Sequence, residues 1–189
     1  MEIVEIEKCK KVFNENRLGL KGKNLKKVTM YTDGCSKGNP GLGGCGVVLL
    51  HFDKNNDLVK KEIKRGYKFT TNNRMELMAF IVGLKELKYS CDISIYSDSK
   101  YIVNAFNENW INTWLKENFR IGKKNEVKNI DLWIELIILI SKHKYSLNWV
   151  KGHNGDEYNE RCDTLANESL NGELISDEFF ERNFDSIEV

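Results

Sequence analysis

Residues 28–70 read VTMYTDGCSKGNPGLGGCGVVLLHFDKNNDLVKKEIKRGYKFT, and this stretch decides the fold class. It holds three runs typical of β-strands, Val28 to Thr32, Cys45 to Phe52 and Ile63 to Thr70. Turn-forming residues separate the runs, and Gly38-Asn39-Pro40-Gly41 predicts a hairpin connection between the first two. Three successive strands without an intervening helix predict an antiparallel meander.

Strand and helix patterns alternate after Thr70. Apolar spacing predicts helices at 71–87, 99–108, 129–143 and 157–170, a tryptophan-bearing segment at 110–114, and strands at 92–97 and 145–150. We therefore expect an α/β fold with a mixed five-stranded sheet, in which three antiparallel leading strands are followed by parallel ones and helices flank the sheet.

The ends of the chain differ from this middle region. Residues 1–26 lack a clear core pattern and are expected to form an N-terminal extension, and residues 172–189 an acidic tail whose phenylalanines could dock elsewhere. The main domain is expected to span residues 27–171. A chain of 189 residues with 41% hydrophobic and 30% charged residues fits one globular domain.

Charge and cysteine usage limit the function classes. The net charge of +1 argues against a uniformly basic nucleic-acid binder. However, residues 1–28 carry eight Lys/Arg against four Glu, and residues 112–128 carry five against two, so local patches could steer a polyanion. The alternative is that these runs are solvated faces.

Five scattered cysteines without a C-x-x-C pair favour reduced thiols in the cytoplasm. We expect no membrane partner, because no apolar run approaches 18 residues.

Four acidic residues have settings that suggest chemistry. Asp33 and Asp98 end strand-like runs, Glu76 lies in the first turn of a helix, and Asp163 lies about a turn into the last helix. Each has a structural alternative. Asp33 could be only a turn former and Asp98 only a helix cap. Glu76 could be only an acid favoured in the first turn of a helix, and Asp163 only part of a solvated face. If the four converge, their mutual repulsion requires a bound cation, and carboxylate oxygens suit Mg²⁺ or Mn²⁺.

Seven motifs together resemble the ribonuclease H family, in its cellular, bacterial type-one branch, over about residues 27–171. They are YTDGC at 31–35, GNPG at 38–41, TTNNRMEL at 70–77, SDSKY at 97–101, VKNIDLW at 127–133, WVKGH at 149–153 and NERCD at 159–163. A single T-D-G would be weak evidence, but seven motifs in order and at the family's spacing are specific. The resemblance implies a ribonuclease H-like fold and hydrolysis of the RNA strand of RNA·DNA hybrids, with weak sequence preference, leaving 5′-phosphate and 3′-hydroxyl ends.

The resemblance also implies roles for individual residues. Asp33, Glu76, Asp98 and Asp163 match metal-binding carboxylates that hold two Mg²⁺ ions, with Mn²⁺ as an alternative, and Asp33 would bridge the two ions. His153 matches a mobile histidine that assists proton transfer or product release. The alternative for His153 is a loop histidine without a role.

The family's substrate contacts match two groups of positions. Those near the site would touch RNA 2′-hydroxyls or bases and comprise Gly34, Cys35, Asn39, Asn72, Asn73 and Glu76, with Lys100 at a phosphate. The alternative for Asn72 and Asn73 is that they only cap the helix. Those in a basic protrusion would grip the DNA strand and comprise Trp110, Lys116, Arg120, Lys123, Lys124 and Lys128. The protrusion departs from many relatives, because Phe119 and Glu117 stand where another tryptophan and a denser basic run are common.

Three other classes share some of these features. An integrase or transposase would share the fold and acids but lack the N-N-R-M-E-L and K-G-H contexts. A non-catalytic nucleic-acid binder would not need all four acids and His153. A reverse-transcriptase fragment is disfavoured by the short segment before residue 27. We expect a monomeric enzyme whose partner is an RNA·DNA hybrid.

Overall fold

The computed structural model describes residues 3–20, 24–122 and 125–184. Within these ranges, one mixed sheet is the centre of the molecule. Its strands are β1 (Lys26–Gly38), β2 (Gly41–Phe52), β3 (Leu58–Thr70), β4 (Cys91–Ser97), β7 (Lys144–Trp149) and β8 (Leu174–Ile175), and β5 (Arg120–Ile121) and β6 (Asn125–Glu126) form a separate small hairpin. The strand order is β7-β4-β1-β2-β3-β8.

The strand directions agree with the prediction. β1, β2 and β3 form an antiparallel meander, whereas β4 is parallel to β1 and β7 is parallel to β4. The sequence predicts five strands, and the structure adds β8, which pairs in parallel with the edge strand β3 over two residues. The described sheet therefore has six strands rather than five.

Seven helices are seen in the described residues. They are α1 (Ile3–Gly19), α2 (Asn72–Lys85), α3 (Lys100–Asn107), α4 (Trp110–Lys116), α5 (Ile130–Ile140), α6 (Glu157–Ser169) and α7 (Glu178–Asn183). The larger part of the core joins one face of the sheet to α2 and to the tryptophan-rich α3–α5 region, where Trp133 is fully buried. A smaller apolar cluster of Val48, Leu50, Cys162 and Leu165 lies between the sheet and α6.

Glycines in β2 allow α6 to lie directly on the sheet. A Cβ atom at Gly46 would stand 2.1 Å from the Cys162 carbonyl oxygen, and one at Gly44 would stand 2.3 Å from the Ala166 carbonyl oxygen. Neither separation is compatible with a side chain, so hydrogen at these positions permits the contact between helix and strand. This close packing fixes the height of α6, and of Asp163 on it, above β1 and β2.

Both ends of the chain make more contacts than their sequence patterns predict. Ile6, Cys9 and Phe13 of α1 are buried in the main core, although no core pattern was predicted for residues 1–26. In the acidic tail, Asp177 and Phe180 are buried, so this part of the tail docks on the domain. No helix among the described residues has the length and apolar character needed to cross a bilayer.

Candidate active site

The sheet brings Asp33 and Asp98 to neighbouring positions. β1 and β4 run in parallel, and their last paired residues are Thr32 and Ser97. Asp33 and Asp98 each follow that pair directly, so both lie where the parallel pairing ends. The sequence predicted that the first strand would end at Thr32, but β1 continues to Gly38 because Asp33 and the following residues pair with β2, where Asp33 is opposite Gly46.

Helix α2 brings the third acid to the same place. The backbone of α2 approaches Gly34 so closely that a Cβ atom there would lie 2.3 Å from the Glu76 nitrogen. Carboxylate oxygens of Asp33, Glu76 and Asp98 all lie within 4.8 Å of one another. Three acids from positions 33, 76 and 98 of the chain therefore form one cluster.

Burial and mutual repulsion make this cluster costly when it is ionised. Burial, together with the charges of Asp98 and Asp163, raises the pKa of Asp33 to about 7, although the Gly34 N–H donates to Asp33 Oδ1 at 2.8 Å and partly offsets the shift. Burial and the charges of Asp33 and Asp98 raise the pKa of Glu76 well above its ordinary value.

The donor set fits a hard divalent cation. Glu76 Oε2 is buried and accepts no hydrogen bond within the described part of the chain, so one carboxylate oxygen lacks a partner inside the cluster. An unpartnered buried oxygen is unusual in a folded protein. A cation bound among the three carboxylates would satisfy this oxygen and offset the repulsion, and oxygen ligands of this type suit Mg²⁺ or Mn²⁺.

Asp163 and His153 lie at the edge of this cluster. Asp163 is not among the three mutually close acids, but its charge contributes to the raised pKa of Asp33. Asn167 Nδ2 donates to Asp163 Oδ1 at 2.9 Å, and His153 Nδ1 is 3.9 Å from Asp163 Oδ2. The His153 side chain is 82% exposed, on a loop where its φ of 52° is left-handed. The histidine is thus beside the acids and open to solvent.

Two residues of the WVKGH motif contact Asp98 in ways that the sequence did not predict. The indole Nε1 of Trp149 donates to the Asp98 carbonyl oxygen at 3.0 Å, and the ring lies under the Lys100 ammonium at 4.7 Å. Gly152 approaches Asp98 so closely that a Cβ atom would stand 2.4 Å from Asp98 Oδ2. The end of β7 and the loop after it therefore contact Asp98 in the connection between β4 and α3.

A buried ion-pair network lies at the start of α2, two residues before Glu76. Arg74 is 1% exposed; its Nε and Nη2 donate to Asp177 and its Nη1 and Nη2 donate to Asp131, over distances of 2.6–2.9 Å. Thr70 Oγ1 also donates to Asp177 Oδ2 at 2.7 Å. Burial alone would lower the pKa of the guanidinium, but the bonds to both acids outweigh it and raise the pKa. The network ties the tail and α5 to the helix that carries Glu76.

The predicted RNA-contacting residues lie beside the acids. Gly34 and Cys35 follow Asp33 in β1, and Asn72 and Asn73 begin α2. Asn39 Oδ1 accepts from the Asn72 N–H at 3.1 Å, which joins the β1–β2 turn to the start of the helix. Both asparagines of α2 and Asn39 are exposed. These short polar groups therefore form one accessible surface next to the cluster.

The predicted protrusion comprises α4 and the β5–β6 hairpin. Lys116, Arg120 and Lys128 are exposed, and the half-buried Trp110 lies 6.3 Å from the Trp114 ring. Trp114 is buried against Trp133 with ring centroids 5.0 Å apart. Lys123 and Lys124 lie outside the described residues. Phe119, which replaces the tryptophan common in relatives, is fully buried.

Known proteins are similar to this chain in sequence and in fold. The RNase H family model matches residues 25–171. A ribonuclease H from Lachnoclostridium phytofermentans is 48% identical over 153 residues, covering 80% of this chain and 97% of that protein. A ribonuclease H from Francisella tularensis subsp. novicida is 50% identical over 153 residues, covering 81% of this chain and 96% of that protein.

Solved structures agree. LC9-RNase H1, a type 1 RNase H, matches with a TM-score of 0.73 at 25% identity, covering 85% of this chain and 82% of that one. RNase H1 from Halobacterium salinarum matches with a TM-score of 0.56 at 26% identity, covering 77% and 98% of the two chains. Because the family model spans most of the chain and relatives align over nearly their whole length, this protein belongs to the ribonuclease H family.

Proposed function

We propose that this chain is an endonuclease that hydrolyses the RNA strand of RNA·DNA hybrids, with weak sequence preference, leaving 5′-phosphate and 3′-hydroxyl ends. The observation that carries the proposal is the buried cluster of Asp33, Glu76 and Asp98, whose oxygens lie within 4.8 Å of one another. The family supplies the substrate class: a fold relative, LC11-RNase H1, was solved in complex with an RNA/DNA hybrid, at a TM-score of 0.56 and 23% identity.

The four acids are proposed to hold two Mg²⁺ ions, with Mn²⁺ as an alternative. We propose Asp33 as the common member, because it is the acid on which both Asp98 and Asp163 act: burial and the charges of these two residues together raise its pKa. When bound, two such ions lower the pKa of an attacking water and stabilise the leaving 3′ oxygen. Asp163 lies outside the tight cluster but its charge acts on Asp33, so we propose that it holds a metal ion together with Asp33.

Groups around the cluster, among them the exposed Asn39, Asn72 and Asn73, are proposed to select the hybrid. Asn39, Asn72 and Asn73 present short polar side chains, and Gly34 and Cys35 present backbone, to the 2′-hydroxyls that distinguish RNA from DNA. Lys100, Trp110 and the basic side chains of the protrusion, Lys116, Arg120, Lys123, Lys124 and Lys128, would contact sugar and phosphate of the backbone. Contacts of this kind carry little sequence information, so weak sequence preference follows.

Incubation of the protein with Mg²⁺ and labelled duplexes tests the substrate. We expect cleavage of the RNA strand in RNA·DNA, and little cleavage of RNA·RNA or DNA·DNA. Equal cutting of all three duplexes, or no cutting of the hybrid, would contradict the proposal. End-labelling of the products checks the 5′-phosphate.

The substitution Asp33→Asn tests the shared ligand. It removes charge at nearly constant volume, so we expect turnover to fall by at least about 10³-fold, which corresponds to about 4 kcal/mol of lost transition-state stabilisation. Circular dichroism and the unfolding midpoint should show an intact fold. Substantial residual turnover would contradict the role of Asp33 between the two ions.

His153 is proposed to assist proton transfer or product release from its exposed loop, 3.9 Å from Asp163. We expect His153→Ala to slow turnover by about 10-fold to 100-fold without abolishing it. A positioned acid–base group contributes about 10²-fold or more to the rate of proton transfer. The loss in turnover is smaller if proton transfer is not the rate-limiting step. Single-turnover and steady-state rates separate the two roles. Complete loss of activity would mean that the histidine has another part.

We further propose a monomer whose catalytic domain spans residues 27–171 and which works in the reducing cytoplasm. All five cysteines are free, and four of them are buried. Sedimentation at micromolar concentration tests the monomer. Loss of activity on exposure to a mild reductant would argue against a cytoplasmic enzyme.

A further inference from the structure

Helix α1 is packed on the domain through one apolar face. Ile6, Cys9 and Phe13 recur at spacings of three and four residues and are buried in the main core. The Cys9 thiol approaches the Ile134 carbonyl oxygen of α5 at 3.9 Å, and Asn16 Nδ2 donates to Ser141 Oγ at 3.0 Å. This helix precedes the region matched by the family model, which begins at residue 25.

One polar side chain of α1 contacts a residue outside α5. Lys10 Nζ donates to Asn118 Oδ1 at 2.5 Å and to Glu7 Oε1 at 2.7 Å, and its side chain is 24% exposed. Its neighbour Lys11 is on another face of the helix, is 75% exposed, and lies 4.0 Å from Glu15 Oε1. The two lysines carry the same charge but differ in whether they contact the rest of the fold.

Asn118 belongs to the turn between α4 and β5, inside the protrusion. Asn118 and Phe119 both have left-handed φ values, 53° and 58°, which disfavour most residues. The turn is held by the Phe119 N–H, which donates to the Trp114 carbonyl oxygen at 2.7 Å, and by the burial of the Phe119 ring. Lys116 and Arg120, the basic residues nearest this turn along the sequence, flank it.

We infer that α1 is a brace for the protrusion, and that Lys10 is its positioning residue for substrate binding. This inference rests on the proposed function, in which the protrusion contacts the hybrid. A turn that is ordered before binding loses less conformational entropy when its side chains meet the phosphates. Lys10 therefore acts through Asn118 on Lys116 and Arg120, and does not itself contact the substrate.

A pair of single substitutions with equal charge change tests the brace. We expect Lys10→Met to raise KM for an RNA·DNA hybrid about fivefold, which corresponds to about 1 kcal/mol, the typical net contribution of one hydrogen bond, while kcat stays within about twofold. Lys11→Met should leave KM unchanged. Lys10→Arg keeps a donor and the charge, so its KM should be close to that of the wild type. Equal effects of Lys10→Met and Lys11→Met, or no effect of either, would overturn the inference.

A second substitution separates the brace from a direct contact between Lys10 and phosphate. Asn118→Gly removes the acceptor, tolerates the left-handed backbone, and leaves the charge unchanged. In the brace, the increase in KM caused by Lys10→Met largely disappears when Asn118→Gly is already present, because the two side chains share one interaction. A direct phosphate contact predicts that the Lys10→Met increase is the same in both backgrounds, and that result overturns the brace.

Amide hydrogen exchange of the free protein gives a readout that does not need activity. Lys10→Met should speed exchange at Phe119 and Arg120, and Lys11→Met should not. If no variant or wild-type protein cuts the hybrid but exchange responds to Lys10→Met alone, the proposed function fails while the contact between α1 and the turn stands. If the hybrid is cut and exchange is unchanged by Lys10→Met, the brace fails alone.

Discussion

Asp33 shows how a single residue can be costly in the folded protein and still be required there. It is 7% exposed, adjoins two other carboxylates, and has a pKa of about 7 instead of its ordinary 3.8. A group that ionises with such difficulty destabilises the metal-free fold at neutral pH. The same burial and nearby negative charge that raise its pKa also favour binding of a divalent cation.

The metal-free protein should therefore lose stability as the pH rises. Between the unfolded pKa of 3.8 and the folded pKa of about 7, Asp33 holds a proton in the folded state that the unfolded chain has released. Its contribution to the free energy of unfolding is full below the lower value and is lost as the pH passes the higher one, by an amount on the order of 4 kcal/mol. Glu76 acts in the same direction.

Urea unfolding in a chelator, from pH 4 to 8, checks this prediction. His143 acts in the opposite direction, because burial lowers its pKa to about 4 and it gains a proton on unfolding. The comparison is therefore between wild type and Asp33→Asn, which share His143. We expect the variant to be the more stable of the two at pH 8 and Mg²⁺ to stabilise wild type more. Equal pH profiles without metal would contradict the assigned pKa shift.

At the scale of elements, the C-terminal segment is joined to the domain by ionic contacts. Asp177, just before α7, accepts from Arg74 and Thr70 and is 4% exposed. Phe180 is buried nearby, and its ring lies 5.7 Å from the Phe69 ring. Because Arg74 is on the first turn of α2, the tail also helps to fix the helix that carries Glu76.

Asp177→Asn should destabilise the protein by about 3 kcal/mol, because it leaves a buried guanidinium with one of its two charge partners removed. The asparagine has nearly the same volume, so a cavity does not contribute. Asp92→Asn is the matched control: it makes the same chemical change in the partly exposed surface pair Asp92–Lys144, and we expect a change within about 0.5 kcal/mol. Denaturant midpoints measure both, and equal losses would show that the buried network has no special weight.

The elements differ in how well local sequence predicts them. The middle of the chain was predictable because its strands and helices have clear apolar periods, and because parallel strands that end together place Asp33 next to Asp98. The brace helix was missed because Ile6, Cys9 and Phe13 are spaced as a helical face but are surrounded by charged residues. Strand β8 has two residues, and the Arg74–Asp177 pair joins positions 103 residues apart, so neither has a local signal.

At the scale of the whole molecule, the distribution of charge matters more than its total. The net charge is only +1, yet the protrusion is basic and the far end of the chain is acidic. Lys116 and Arg120 are exposed on the protrusion, whereas Lys54 and Lys142 are exposed at the end of the sheet opposite Asp33 and Asp98, beyond β2 and before β7. Attraction of a polyanion should therefore depend on the first pair and not on the second.

The salt dependence of KM tests this distribution with two double variants of equal charge. Lys116→Gln with Arg120→Gln should raise KM for the hybrid and reduce the slope of log KM against log salt by roughly 1.5, because each lost phosphate contact removes about 0.7–0.9. Lys54→Gln with Lys142→Gln should leave both KM and slope near wild type, although it lowers the net charge equally. Equal slopes for the two double variants would mean that total charge, rather than the protrusion, attracts the substrate.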